Sequence, residues 1–136
     1  MILKLVEGVN LKIAEIKNLS LSFQENYKVF QDINIKVKEN KVTLLTGKSG
    51  CGKSSLLMCI TGVIPDIIEG NITGEIIYKG KNIEKKGVKA VSGEIAYMFQ
   101  DPDSQLCTFT VEDEIAFGLE NMKMEPSHME HTIDKV

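Results

Sequence analysis

The sequence predicts an α/β domain, and three observations carry that prediction. Apolar and polar residues alternate from Leu11 to Phe23 and again from Val29 to Val37. A short, nearly all-apolar run, Val42-Thr43-Leu44-Leu45-Thr46, leads into a glycine-rich loop, and Ser54 to Thr61 continues from that loop without a helix breaker. With 136 residues, 43% hydrophobic and 26% charged, the chain suits one globular core rather than a disordered segment.

Successive side chains of a strand point to opposite faces, so the two alternating stretches are expected to form an antiparallel pair of half-buried strands. Within the second stretch Asp32 breaks the step set by Phe30, Ile33, Ile35 and Val37. Glu39-Asn40 turns the chain into Val42–Thr46, whose apolar composition predicts a central strand covered on both faces. Leu56, Leu57, Met58 and Ile60 then predict a helix that Gly62 and Pro65 end. Beyond Gly70 and Gly74, Glu75–Tyr78 reads as a strand and Lys79-Gly80-Lys81 as its turn. Lys85–Ser92 is ambiguous. Glu94–Phe99 reads as another short apolar strand, Gln100-Asp101-Pro102-Asp103 as a loop, and Val111–Leu119 as a helix. Thr110, with Asp113 three residues later, approximates a capping box. Pro126-Ser127 opens a further helix. No repeat, low-complexity tract or linker divides the chain, and Met1–Asn10 forms a short extension with no assigned role.

The formal net charge is -3, from 19 acidic and 16 basic residues, and every basic residue is a lysine. The lysines are spread along the chain rather than gathered into a stripe, which argues against a nucleic-acid surface. Without arginine there is no bidentate phosphate clamp, so any phosphate chemistry rests on lysine and backbone. Cys51, Cys59 and Cys107 are odd in number and lack C-x-x-C spacing, so they predict neither a disulfide framework nor a zinc site. A reducing cytoplasm is expected. The first ten residues hold no apolar run long enough for a signal peptide or a membrane span. His128 and His131 stand three apart, and with no third ligand beside them they read as a solvated face.

Gly47-Lys48-Ser49-Gly50-Cys51-Gly52-Lys53-Ser54 matches G-x-x-x-x-G-K-[ST], placed after an expected strand and before an expected helix. Glycines let successive backbone N–H groups turn inward around a β-phosphate, and the start of the following helix adds partial positive charge. Lys53 is expected to bridge β- and γ-phosphate oxygens, Ser54 to coordinate magnesium, and Ser55 to lie near the α-phosphate. The loop thus predicts a bound nucleotide, read as ATP with Mg2+, although the same loop serves kinases, GTPases, helicases and transporters. Cys51 reads as a small tolerated side chain in the loop.

The run from Tyr97 to Asn121, YMFQDPDSQLCTFTVEDEIAFGLEN, resembles the Q-loop region of ABC transporter ATPases, and its F-Q-D-P-D-x-Q-L form is similar to that of the energy-coupling-factor importers of vitamins, cobalt or nickel. LSLSF, VFQDINIKV and GKSGCGKSSLL are similar to the N-terminal pattern of the same family, so the resemblance covers nearly everything from Leu11 onward. It implies the P-loop NTPase core of an ABC ATPase, with an antiparallel β subdomain. It places Phe23 where an aromatic ring stacks on adenine, with Tyr27 the weaker candidate. Gln100 matches the Q-loop glutamine, which reaches magnesium and the attacking water, so the resemblance makes Gln100 and Lys53 the catalytic pair and Ser54 and Gln100 the metal ligands. Asp101, Asp103, Gln105 and Leu106 then belong to a surface that meets a membrane-embedded transporter subunit. A second ABC ATPase subunit, identical or different, is the other implied partner, and the implied location is cytoplasmic, peripheral on the inner face of the cell membrane.

The family's L-S-G-G-Q signature, its Walker B aspartate with catalytic glutamate, and its switch histidine are expected to lie beyond Val136. Glu112, Asp113 and Glu114 do not supply them, because they follow a loop and not an apolar strand. Residues 1–136 are thus expected to be a partial nucleotide-binding domain, with negligible ATPase activity alone and poor solubility or self-association. The competing readings are a soluble, non-transport ABC ATPase, a small phosphate-loop kinase, and an ATP-binding or interaction fragment that does not hydrolyse. The acidic balance disfavours a nucleic-acid clamp, and the lack of arginine disfavours the kinase.

Overall fold

A computed structural model describes residues 12–24, 27–84, 86–101 and 103–136. The expectations for Met1–Asn10, Leu11 and Pro102 lie outside the described residues. The chain groups into two units, Met1–Tyr97 and Met98–Val136.

In the first unit, β1 (Lys12–Phe23) and β2 (Tyr27–Lys38) form the expected antiparallel pair, joined by the hairpin end where Phe23 faces Tyr27. β3 (Asn71–Tyr78) pairs antiparallel with the other edge of β1, and the two-residue β4 (Lys81–Asn82) completes a sheet of order β2-β1-β3-β4. The expected turn at Lys79-Gly80 links β3 to β4, and both of its residues have positive φ, as a tight hairpin turn requires. Asp32, out of step in the sequence, marks an irregularity. Its φ is 52°, and the β1–β2 register shifts between Leu19 and Leu21. Polar side chains pick up backbone groups there: the Asp32 N–H donates to Ser20 Oγ at 3.0 Å, and the Asn18 N–H donates to Asn34 Oδ1 at 3.0 Å. Gly74 crosses this bulge at φ 102°, where a Cβ would stand 2.5 Å from the Asn18 carbonyl oxygen, so only glycine fits.

Inward parity of the strands builds the core. Ile16, Leu19, Leu21 and Ile76 are buried on the sheet, and α1 (Lys53–Ile60) lays Leu56 and Cys59 against them. α2 (Val63–Asp66) is a single irregular turn that adds Ile64, and its Asp66 carboxylate accepts the Val88 N–H at 3.2 Å. That bond fastens the 3-10 turn Val88–Ala90, which lies within the ambiguous stretch whose first residue, Lys85, is outside the described residues.

Two strand expectations are overturned. Val42–Thr46 pairs with no strand among the described residues; Val42 is 93% exposed and Leu44 69%. Glu94–Phe99 likewise joins no ladder. Apolar, β-branched composition favours an extended backbone, but a strand exists only when a neighbour accepts its N–H and C=O groups, and the four described strands pair elsewhere. Leu44, Leu45 and Ile95 instead line an apolar groove of about 450 Å³ between the sheet, at Ile16 and Ile35, and α1, at Leu57.

In the second unit, a 3-10 turn (Asp103–Gln105) precedes α3 (Val111–Asn121) and α4 (Pro126–Ile133). Thr110 caps α3 as expected, accepting the Asp113 N–H at 3.1 Å, and the Thr110 hydroxyl donates to Asp113 Oδ2 at 2.6 Å. Pro126 opens α4, where its missing N–H costs no helical bond.

Candidate phosphate-binding site

The site is built at the start of α1. Gly52 is its N-cap residue at φ 91°, and a Cβ there would lie 3.0 Å from Val29 Cγ1 and 3.1 Å from Phe30 Cδ1. The loop therefore rests on β2 through Val29 and Phe30, two residues that the motif does not contain. Phe30 could have been found from its inward parity on β2, but nothing local ties it to the loop.

The first i→i−4 bond of α1 runs from the Leu56 N–H to the Gly52 carbonyl at 2.9 Å. The N–H groups of Lys53, Ser54 and Ser55 precede it and have no partner within the helix. The helix start carries no side-chain cap and no acidic residue in its first turn. Its partial positive charge is thus left uncompensated by the protein, which is the arrangement an anion requires.

Lys53 reaches back across the loop. Its Nζ donates to the Lys48 carbonyl at 2.8 Å and the Gly47 carbonyl at 3.0 Å, and lies 3.8 Å from Cys51 Sγ. A Cβ on Gly47 would meet that sulfur at 2.7 Å. Gly47, Lys48, Cys51, Gly52 and Lys53 are thereby drawn into one ring of contacts. Ser49 and Gly50 form the exposed tip, Ser54 is exposed, and Ser55 is half-buried on the first turn of α1.

Phe23, at the end of β1, is half-buried and packs beside Gly70, lining a recess of about 370 Å³ with Gln24, Glu69 and Asn71. No contact among those described joins it to the loop. Tyr27 is 64% exposed. Gln100 is an exposed residue of the second unit. Of the four residues expected at a partner surface, Asp101, Asp103 and Leu106 are exposed, whereas Gln105 is half-buried and accepts the Phe99 N–H on Oε1 at 3.0 Å. Gln105 therefore shapes the loop from within. His128 and His131 are exposed, and among the described residues no three His, Cys, Asp or Glu side chains gather into a metal cluster. Among the described residues no helix is long and apolar enough to cross a membrane.

The ABC transporter family profile matches residues 30–136. The Bacillus subtilis (strain 168) protein YkoD, assigned by name to HMP/thiamine import as its ATP-binding protein, is 39% identical over 127 residues, covering 92% of this chain and 23% of that protein. An ABC transporter ATP-binding protein of Pyrococcus abyssi is 36% identical over 121 residues, covering 88% of this chain and 43% of the relative. Among solved structures, cbiO1 from Clostridium perfringens, described as part of the ABC transporter complex cbiONQ, aligns with a TM-score of 0.76 at 28% identity over 91% of this chain and 48% of its own. A nucleotide-free ATP-binding cassette aligns with a TM-score of 0.67 at 26% identity, covering 88% and 45%. The chain spans less than half the length of each of these proteins.

Proposed function

The chain belongs to the ABC transporter family, and from that premise we propose that it is an ATP-binding portion of an importer, holding Mg-ATP in the loop Gly47–Ser54 to power uptake of a vitamin or metal ion. The observation that carries the reading is the uncapped, acid-free start of α1 with the Lys53 ammonium tethered over the loop that feeds it. The likeness to an HMP/thiamine import protein and to part of a cbiONQ complex supports the importer class.

In this reading the N–H groups of Lys53, Ser54 and Ser55 hold phosphate oxygens, and the helix start favours their charge. Lys53 exchanges a neutral carbonyl acceptor for an anionic phosphate oxygen, which makes the stronger hydrogen bond. The exposed Ser54 hydroxyl suits magnesium, which prefers oxygen ligands. When bound, magnesium supplies charge neutralisation at the β- and γ-phosphates. Phe23 would hold the adenine by stacking, and Gln100 would orient water and complete the metal's oxygen ligands. The partners are a membrane-embedded transporter subunit and a second ABC ATPase subunit; nucleic acid is not among them. The chain is placed in the cytoplasm, peripheral on the inner face of the cell membrane.

Mild-detergent purification of the protein from its own membranes tests the transport half of this reading. An integral membrane protein and a second cassette should accompany it, and changing the exposed Asp101 and Asp103 to alanine should release the membrane component. Recovery of neither partner would count against transport.

A further inference from the structure

We propose that Met124, His128 and His131 form a binding site for a soft monovalent cation, with Cu(I) as the occupant its donors suit. His128 and His131 stand one turn apart on α4, close enough for two side chains of a helix to share one ligand, and both are exposed. Two imidazoles alone make a poor metal site. The structure supplies a third donor that the sequence spacing did not reveal, a thioether from the residue before the N-cap of α4.

The turn between α3 and α4 delivers that sulfur. α3 closes in a Schellman motif: Lys123 stands at φ 57°, its N–H donates to the Glu120 carbonyl at 2.8 Å, and the Met124 N–H donates to the Leu119 carbonyl at 3.1 Å. Met124 is thereby fixed directly before Glu125, the N-cap of α4, and its side chain is half-buried. Its Sδ lies 3.9 Å from the Thr132 hydroxyl, which donates to the His128 carbonyl at 2.8 Å. Thr132 is one turn beyond His128 and adjacent to His131, so the sulfur reaches the stretch of α4 that carries both rings.

The donor set chooses the cation. Among the described residues no three His, Cys, Asp or Glu side chains gather, so a hard cation lacks its oxygen ligands and Zn2+ lacks its tetrahedral set. A thioether beside two imidazoles suits Cu(I), which soft sulfur ligands select and which accepts a low coordination number. All three donors are neutral, and the exposed Glu125, Glu130 and Asp134 of the same segment offset the ion's charge without ligating it. Because the sulfur precedes α4 and the rings lie on it, occupancy ties the α3–α4 connection to the helix. A ligand held only by the folded state stabilises that state.

The test is an anaerobic Cu(I) titration of the whole chain against ferrozine as the competing chelator, with Cys51→Ser and Cys107→Ser in place so that accessible thiols do not compete. The chain should withdraw Cu(I) saturably. Each of His128→Ala, His131→Ala and Met124→Leu should weaken binding about tenfold or more, a loss that even the outer partners of a metal site reach. Met122→Leu should leave it unchanged, with the circular dichroism of every variant intact. In NMR spectra Ag(I), a diamagnetic stand-in, should move the Met124 methyl resonance together with the ring resonances of both histidines. Binding indifferent to Met124→Leu would overturn the proposal, as would Ni2+ or Zn2+ held as tightly as Cu(I). So would a folded chain that takes no Cu(I) from ferrozine, or histidine resonances that move while the Met124 methyl does not.

Discussion

Glu114 Oε2 receives both the hydroxyl and the backbone N–H of Thr108, at 2.8 and 2.9 Å, so one carboxylate on α3 holds the loop that leads into its own helix. The Thr108 hydroxyl, followed by the Cys107 N–H, holds the Glu114 carboxyl below the usual carboxylate range. Hydrogen bonds to the charged form have that sign. A depressed pKa means that the stabilisation is fully present above the unfolded value and is lost as pH falls through the folded one. Amide exchange at Cys107 and Thr108 should therefore accelerate, relative to the amides of α3, only once the pH drops below the ordinary carboxylate range. Glu114→Gln should open the same amides already at neutral pH and remove that acid transition.

The three cysteines should separate by reactivity. Cys59 is buried on α1, and burial pushes its thiol up to about 12, so it stays protonated and inert at neutral pH. Cys107 is exposed and Cys51 half-exposed in the phosphate loop. Iodoacetamide mapping by mass spectrometry should label Cys107 readily, label Cys51 in a manner slowed by Mg-ATP, and reach Cys59 only in denaturant.

Burial predicts opposite outcomes at two apolar positions that look alike in sequence. Ile76 is fully buried in the sheet, and Ile76→Ala should cost about 2–5 kcal/mol in urea unfolding. Val42 is 93% exposed, and Val42→Lys should change stability by no more than about 0.5 kcal/mol while improving solubility.

Gly52→Ala should be harmful in two ways. The left-handed φ of 91° costs a residue with a Cβ about 1–2 kcal/mol. The new methyl would also press on Val29 and Phe30, which support the loop. Chemical denaturation should register the first effect, and a weaker affinity for Mg-ATP the second.

What could be read from sequence divides along a physical line. The β1–β2 hairpin, α1, the Lys79-Gly80 turn and the Thr110 cap are set by neighbours a few residues away, and period, glycine and capping chemistry reveal them. Even the Asp32 bulge shows as a broken alternation. Val42–Thr46 and Glu94–Phe99 have strand-like composition yet join no ladder among the described residues, because a ladder depends on distant partners, which composition does not report. The loop motif was legible residue by residue, whereas its support by Val29 and Phe30 belongs to the packing of β2 against Gly52 and has no local signal.

Calorimetric titration of the purified chain with Mg-ATP, with Lys53→Ala as the comparison, addresses the central claim most directly. Saturable binding near one nucleotide per chain, abolished by Lys53→Ala in a variant with unchanged circular dichroism, is the predicted result. A well-folded chain that binds no Mg-ATP, or binds it equally well without the Lys53 ammonium, would contradict the assignment of Gly47–Ser54 as its phosphate site.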